Sequence, residues 1–139
     1  MRVAKIARWM SSAVAVAALL AAGAASAQKT QLTVYTALET DQLKAYTEGF
    51  NKAYPNIEIT WVRDSTGIIT AKILAEKAAP KADVIMGVAA TSMAIFAEEG
   101  MLLPFAPTGL DRIPPQYRDT ANPPRWVGMD VWGATICFN

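Results

Sequence analysis

Between Leu32 and Gly100 the chain alternates three times between a short β-rich run and an apolar repeat at helical spacing. Leu32-Thr33-Val34-Tyr35 reads as a strand. Thr40 is placed to cap a helix on which Leu43, Tyr46, Phe50 and Tyr54 recur, and Pro55-Asn56 stops it. Ile57, Ile59 and Trp61 alternate with Glu58 and Thr60 to give a second strand. The polar turn Arg63-Asp64-Ser65-Thr66-Gly67 opens a second helix with Ile69, Ile73 and Leu74 on one side, and Pro80 follows its end. Asp83-Val84-Ile85-Met86 is a third strand, apolar enough for a sheet covered on both faces. A third helix is expected over Thr91–Glu99, closed by Gly100. Strand and helix in strict alternation specify an α/β fold, a parallel-sheet core with flanking helices and right-handed crossovers.

Both ends of the chain read differently. Arg2, Lys5 and Arg8 precede an apolar run from Trp9 to Ala22, and Ala25-Ser26-Ala27 supplies small residues for a peptidase. This is the pattern of a secretory signal over 1–27, cut after Ala27; the run is short and Ala-rich for a spanning anchor. From Leu102 to Pro124 prolines abolish any period, so an irregular surface stretch is expected. Trp126–Met129 and Trp132–Asn139 read as two further strands. The second of these runs to the last residue without a turn or polar tail, so the chain is expected to be a fragment.

Composition removes several functions. There is no histidine among the 139 residues, which excludes His-ligated zinc, Ser-His-Asp and Cys-His catalysis and an imidazole switch. The 13 basic and 12 acidic residues nearly balance, and signal removal leaves a small acidic excess, so no nucleic-acid partner is expected. Cys137 is the only cysteine, which forbids an internal disulfide; between Ile136 and Phe138 it reads as a buried structural thiol. Acids show no metal-loop spacing, no P-loop is present, and no nucleophile has a recognisable base, so no metal, cofactor or catalysis is expected.

In parallel sheets ligands sit beyond the carboxyl ends of the strands. Three segments occupy that edge here: Thr36–Glu39, Asp64–Gly67 and Gly87–Ser92. Ser65, Thr66 and Gly67 put two hydroxyls and several unpaired N–H groups at a helix start, which suits a phosphate or phosphonate. A plain helix cap by Ser65 or Thr66 accounts for them equally, and Thr91-Ser92 invites the same two readings. Glu39 and Asp130 could hold a cationic group or be ordinary solvated acids. Trp126 and Trp132 could wall a pocket or fill core, and Tyr35 could reach the cleft with its hydroxyl.

"LTVYTALE", "ITWVRDSTGIITAKILAEK", "ADVIMGVAATSMAIFAEEGML" and "NPPRWVGMDVWGATICFN" together resemble periplasmic solute-binding proteins of ABC importers over essentially all of Leu32–Asn139. "YTALETDQ", "VRDSTGIITAKI" and "WVGMDVWGATICFN" are most similar to the 2-aminoethylphosphonate-binding branch, a relative of the ferric-iron-binding proteins. The resemblance implies the first lobe of a two-lobed, type II binding protein spanning 28–139, truncated before the second lobe. It implies a periplasmic, non-enzymatic protein, a monomer when full length, delivering its ligand to an inner-membrane permease. Thr36, Ala37, Ser65, Thr66 and Gly67 would face the cleft. Iron-binding relatives carry a His after the first strand, where this chain has Leu38-Glu39, and an Arg in the segment matching Asp130-Val131-Trp132. Acids and a Trp in their place suit an ammonium group, with Asp130 or Glu39 pairing the amine beside Trp132. Ferric iron, a polyamine or a sugar phosphate are the alternative ligands. A periplasmic phosphonate- or phosphate-cleaving enzyme is the alternative of another class.

Overall fold

The computed structural model describes residues 29–133 and 135–137; the signal expected over 1–27 lies outside them. Three strands alternate with three helices in the expected order: β1 (Thr30–Thr36), α1 (Thr40–Ala53), β2 (Ile57–Arg63), α2 (Thr66–Ala75), β3 (Val84–Met86) and α3 (Ala90–Glu98). The sheet order is β2-β1-β3. β1 and β3 are parallel, with Val34, Tyr35 and Thr36 opposite Val84, Ile85 and Met86. On the other side Gln31 bonds Glu58 and Thr60, and five residues on the Asp64 N–H donates to the Thr36 carbonyl, so β2 ascends with β1.

With β1 in the middle, the chain steps from β1 to β2 on one side and then crosses back past β1 to β3 on the other. Right-handed crossovers in opposite directions place their helices on opposite faces, and the packing agrees. Trp61 Nε1 donates to Thr47 Oγ1 on α1 at 3.0 Å. Its neighbour in β2, Val62, faces the other way, into a core built by Tyr35, Ile69, Ile73 and Phe96 from β1, α2 and α3. Thr-Gly-Ile-Ile-Thr is a poor helix former by intrinsic propensity; α2 holds because Ile69 and Ile73 are almost wholly buried.

The helix ends show how local chemistry sets the boundaries. Glu39, not Thr40, is the N-cap of α1, and its N–H donates to Gln42 Oε1 at 3.1 Å. Only Leu43 of the expected α1 stripe is buried; Tyr46 and Tyr54 stay largely exposed. α3 closes as expected on Gly100 at φ +68°. Met101 N–H bonds the Phe96 carbonyl and Gly100 N–H that of Ala97, the double bond pattern of a Schellman cap, and Met101 packs onto the same core as Phe96.

Beyond Met101 the expectation of irregular structure holds, with two short 3₁₀ turns at Leu110–Arg112 and Pro115–Tyr117. The two expected late strands do not form among the described residues. Trp126–Met129 contributes one antiparallel bridge, Val127 with Arg118, and residues 130–133 and 135–137 have no ladder. Strands need partners, and prolines at 114, 115, 123 and 124 flank that one bridge and offer no N–H to extend it. Cys137 is correspondingly exposed rather than buried. The third strand is also less covered than expected: Val84 is 40% exposed at the free edge of the sheet.

What fixes the irregular stretch is an ion pair not foreseen from sequence. Arg125 grips Asp119 with Nε at 2.6 Å and a second guanidinium nitrogen at 3.1 Å, while its third nitrogen donates to the Ala97 carbonyl near the end of α3. The Asp119 side chain is only 7% exposed. The Arg125 guanidinium holds its carboxyl far below the usual carboxylate range against the opposing cost of burial. Arg125 thereby ties residues 119–125 to the helix that carries the core.

Candidate functional site

The strand order reverses at β1, so the β1–α1 and β3–α3 loops diverge and leave a crevice beyond the strand ends. A cleft of about 280 Å³ lies there. Leu38, the β3 residues and the Gly87–Ala90 turn form one wall; Trp126, Met129, Asp130 and Trp132 form the other. Gly87 sits at φ +64°, and a Cβ built on it would overlap the Leu38 side chain. Glycine is required there twice, for the backbone turn and for the approach of Leu38.

Thr36 organises the neighbouring loops. Its hydroxyl accepts the Leu38 N–H at 3.1 Å and its carbonyl accepts the Asp64 N–H at 3.2 Å. Thr36 is therefore fully buried and fastens the loops to one another rather than presenting its hydroxyl at a surface. Ala37, next to it, is half-buried. Arg63 makes a second tie, donating through Nε to the Leu38 carbonyl at 3.0 Å and through a terminal nitrogen to Glu39 Oε2 at 2.6 Å. Glu39 is thus already engaged, while remaining 72% exposed as a side chain.

At the start of α2, Ser65 is the N-cap by position but makes no side-chain cap bond. Its N–H is taken by Asp64 Oδ1 at 2.7 Å. The N–H groups of Thr66, Gly67 and Ile68 precede the first bond of the helix, which Ile69 donates to the Ser65 carbonyl. Ser65 and Gly67 are exposed and Thr66 is half-buried, so this helix start is open to solvent. The start of α3 differs. Ser92 is 7% exposed and lies 2.9 Å from the Thr70 hydroxyl, which ties the first turns of α2 and α3 together.

The cleft brings together Asp130 and Trp132 but does not include Thr36, Ala37, Glu39, Ser65, Thr66 or Gly67. Glu39 and Thr36 are joined instead to the end of β2, through Arg63 and Asp64. Asp130 accepts the Val131 N–H at 2.7 Å and is exposed, as is Trp132 at 72%. Trp126 is half-buried and walls the cleft. Tyr35 does not reach this edge. Its hydroxyl donates to Glu76 at the far end of α2, with Lys72 5.4 Å above its ring. Burial first, and then the bond to Glu76, pushes the phenol pKa up. Arg63 is the residue that sequence reasoning passed over as turn polarity. Its place at the end of a strand on the ligand edge was the available signal. Among the described residues no three His, Cys, Asp or Glu side chains converge on a metal position, and no helix is long and apolar enough to cross a membrane.

Comparison with known proteins supplies the family. Residues 36–132 match the family described as bacterial extracellular solute-binding protein. The chain is 33% identical over 110 residues to a probable ABC transporter periplasmic-binding protein, y4fP, of Sinorhizobium fredii, covering 79% of this chain and 30% of that one. It is similar to the solved periplasmic binding protein P5PA, with 30% identity and a TM-score of 0.58 over 64% of this chain and 28% of that one. It is also similar to the periplasmic binding protein AfuA of Actinobacillus pleuropneumoniae, solved with fructose 6-phosphate, with 28% identity and a TM-score of 0.60 over 67% and 29% of the two chains. The chain thus spans under a third of the length of these relatives. A β2-β1-β3 sheet with an open crevice at its switch point, matched in sequence from Thr36 to Trp132, makes this chain a member of the bacterial extracellular solute-binding protein family.

Proposed function

We propose that the protein captures 2-aminoethylphosphonate outside the cytoplasmic membrane and hands it to an inner-membrane ABC permease, with no chemistry of its own. One observation carries this reading. Two unlike half-sites lie on the same sheet edge: hydroxyls and first-turn amides at Ser65–Gly67, and an acid beside an indole at Asp130 and Trp132. The first suits a phosphonate dianion, to which the start of α2 presents its positive dipole end. The second suits an ammonium group, through charge pairing with Asp130 and the face of Trp132. Glu39 is the other acid this reading offers the amine, Asp64 on the same edge being engaged by the Ser65 N–H. Leu38 lines the cleft with its side chain and is tied through its carbonyl to Arg63, two residues before Ser65, so an apolar side chain is available to meet a short carbon chain between phosphonate and amine.

A sugar phosphate is the second reading, because AfuA was solved with one and shares 28% identity with this chain. A sugar would keep the Ser65–Gly67 half and replace charge pairing at Asp130 with hydroxyl bonds. A melting-shift panel on the complete translated reading frame separates them: aminoethylphosphonate, ethylphosphonate, phosphate, fructose 6-phosphate, putrescine and ferric citrate. A ligand at 100 times its Kd adds about 2.7 kcal/mol, enough for a clear shift. The expected outcome is a shift with aminoethylphosphonate and a smaller one with ethylphosphonate. A shift with fructose 6-phosphate, iron or putrescine alone keeps the family and replaces the ligand, whereas release of phosphate would make the protein an enzyme.

A further inference from the structure

We propose that Glu39 and Arg63 form a positioning pair that sets Leu38 in the wall of the cleft, leaving Asp130 as the acid that meets the ligand's amine. The inference rests on the aminophosphonate reading and decides between the two acids which that reading leaves open.

Three contacts carry it. Arg63 donates at once to the Glu39 carboxylate at 2.6 Å and to the Leu38 carbonyl at 3.0 Å, so one guanidinium holds two consecutive residues of the β1–α1 loop. The Leu38 N–H is held from the other side by Thr36 Oγ1. With both its backbone polar groups tied, the Leu38 backbone is held in place and its side chain starts from a fixed point. That side chain lies over Gly87, where even a methyl group would collide with it, and along the wall of the cleft. Arg63 is the last residue of β2 and inherits its position from the strand, so the brace reaches from the sheet to the cleft wall.

The charges follow from the same geometry. A carboxylate 2.6 Å from a guanidinium has its charge largely balanced, so an ammonium ligand gains less from Glu39 than from an acid without a cationic partner. Asp130 accepts only the N–H of its own neighbour Val131 among the described residues, lines the cleft, and stands beside Trp132. An incoming amine finds an uncommitted negative charge there and a committed one at Glu39.

The test pairs two ligands that differ only by the amine, aminoethylphosphonate and ethylphosphonate, with Glu39→Gln, Arg63→Gln, the exchange Glu39→Arg with Arg63→Glu, and Asp130→Asn. The Leu38 methyl resonances serve as a ligand-free readout. A positioning pair predicts that Glu39→Gln and Arg63→Gln shift the Leu38 methyls and weaken both ligands alike, about threefold for an exposed pair. The exchange restores the ion pair but not the bond to the Leu38 carbonyl, which a carboxylate cannot donate, so the Leu38 methyls should stay shifted. Asp130→Asn should weaken aminoethylphosphonate about tenfold or more and should not weaken ethylphosphonate, which has no amine for it to pair. Loss of aminoethylphosphonate binding alone in Glu39→Gln would make Glu39 the amine's partner and overturn the proposal. So would unmoved Leu38 methyls, or unchanged affinities, in both single variants. If wild type binds neither phosphonate, the ligand reading fails, and with it the amine role of Asp130. The Leu38 shifts then still decide whether the pair positions that wall.

Discussion

At the scale of single residues, the positions that matter most are those whose polar groups are fully spoken for. Asp119 accepts from Arg125 at three nitrogens, two of the guanidinium and the backbone N–H, and its pKa falls far below the ordinary value near 3.9. A carboxyl depressed on folding adds stability at every pH above its unfolded value and loses it as pH falls through the folded one. Asp119→Asn should therefore lower the Tm at pH 7 on the order of 5–10 °C. The gap to wild type should close progressively below about pH 4, as thermal melts across a pH series would record. A constant gap from pH 7 to pH 2 would show that geometry rather than charge sustains the contact. Gly87→Ala tests the wall of the cleft. It strains a left-handed backbone position and pushes on Leu38 together. The expected result is a destabilisation of about 1–2 kcal/mol in denaturant melts, with ligand affinity reduced as well.

The elements divide between those that local pattern could specify and those that could not. α2 and α3 meet over Tyr35 through Ile69, Ile73 and Phe96, and this small cluster is the anchor of the fold. Phe96 has no exposed surface, so Phe96→Ala should cost about 3–5 kcal/mol by chemical denaturation. Gly100→Ala should cost about 1 kcal/mol, because the Schellman cap needs its positive φ and little else surrounds it. Leu43, Tyr46, Phe50 and Tyr54 recur at helical spacing along α1, yet only Leu43 is buried. Its aromatic residues Phe50 and Tyr54 stack on each other, ring centroids 5.0 Å apart, rather than in the core. Periodicity located that helix correctly and overstated how much of it the sheet covers. For residues 126–137 the β-rich composition was present, but a strand is a relation between two segments, and only Val127 found a partner.

For the molecule as a whole, the topology chooses the site. A sheet that starts in the middle and grows to both sides must open a crevice at its first strand. The β1–α1 loop and the β3–α3 turn border it, and the 126–132 segment closes the other side. That segment is held by Arg125, which reaches from Asp119 to the Ala97 carbonyl. Removing the tie should loosen the far wall of the cleft. Arg125→Gln is expected to weaken aminoethylphosphonate binding severalfold without touching either half-site. A calorimetric titration at a temperature well below its Tm would check this, and unchanged affinity would confine Arg125 to stability.

The sequence by itself determined the α/β alternation and the helix stop at Gly100. Both depend on neighbours a few residues apart, which periodicity and capping chemistry report directly. It also picked out Ser65-Thr66-Gly67, because a hydroxyl pair at a helix start is a local feature. Tertiary structure alone decided that Thr36 is a buried fastener, that Glu39 is bound to Arg63, 24 residues on, and that Tyr35 turns away to Glu76. Each of these is settled by which groups the crossovers bring within hydrogen-bond reach. A polar side chain at a strand end has the same appearance in sequence whether it meets a ligand or a neighbouring loop. Only the fold supplies the second partner.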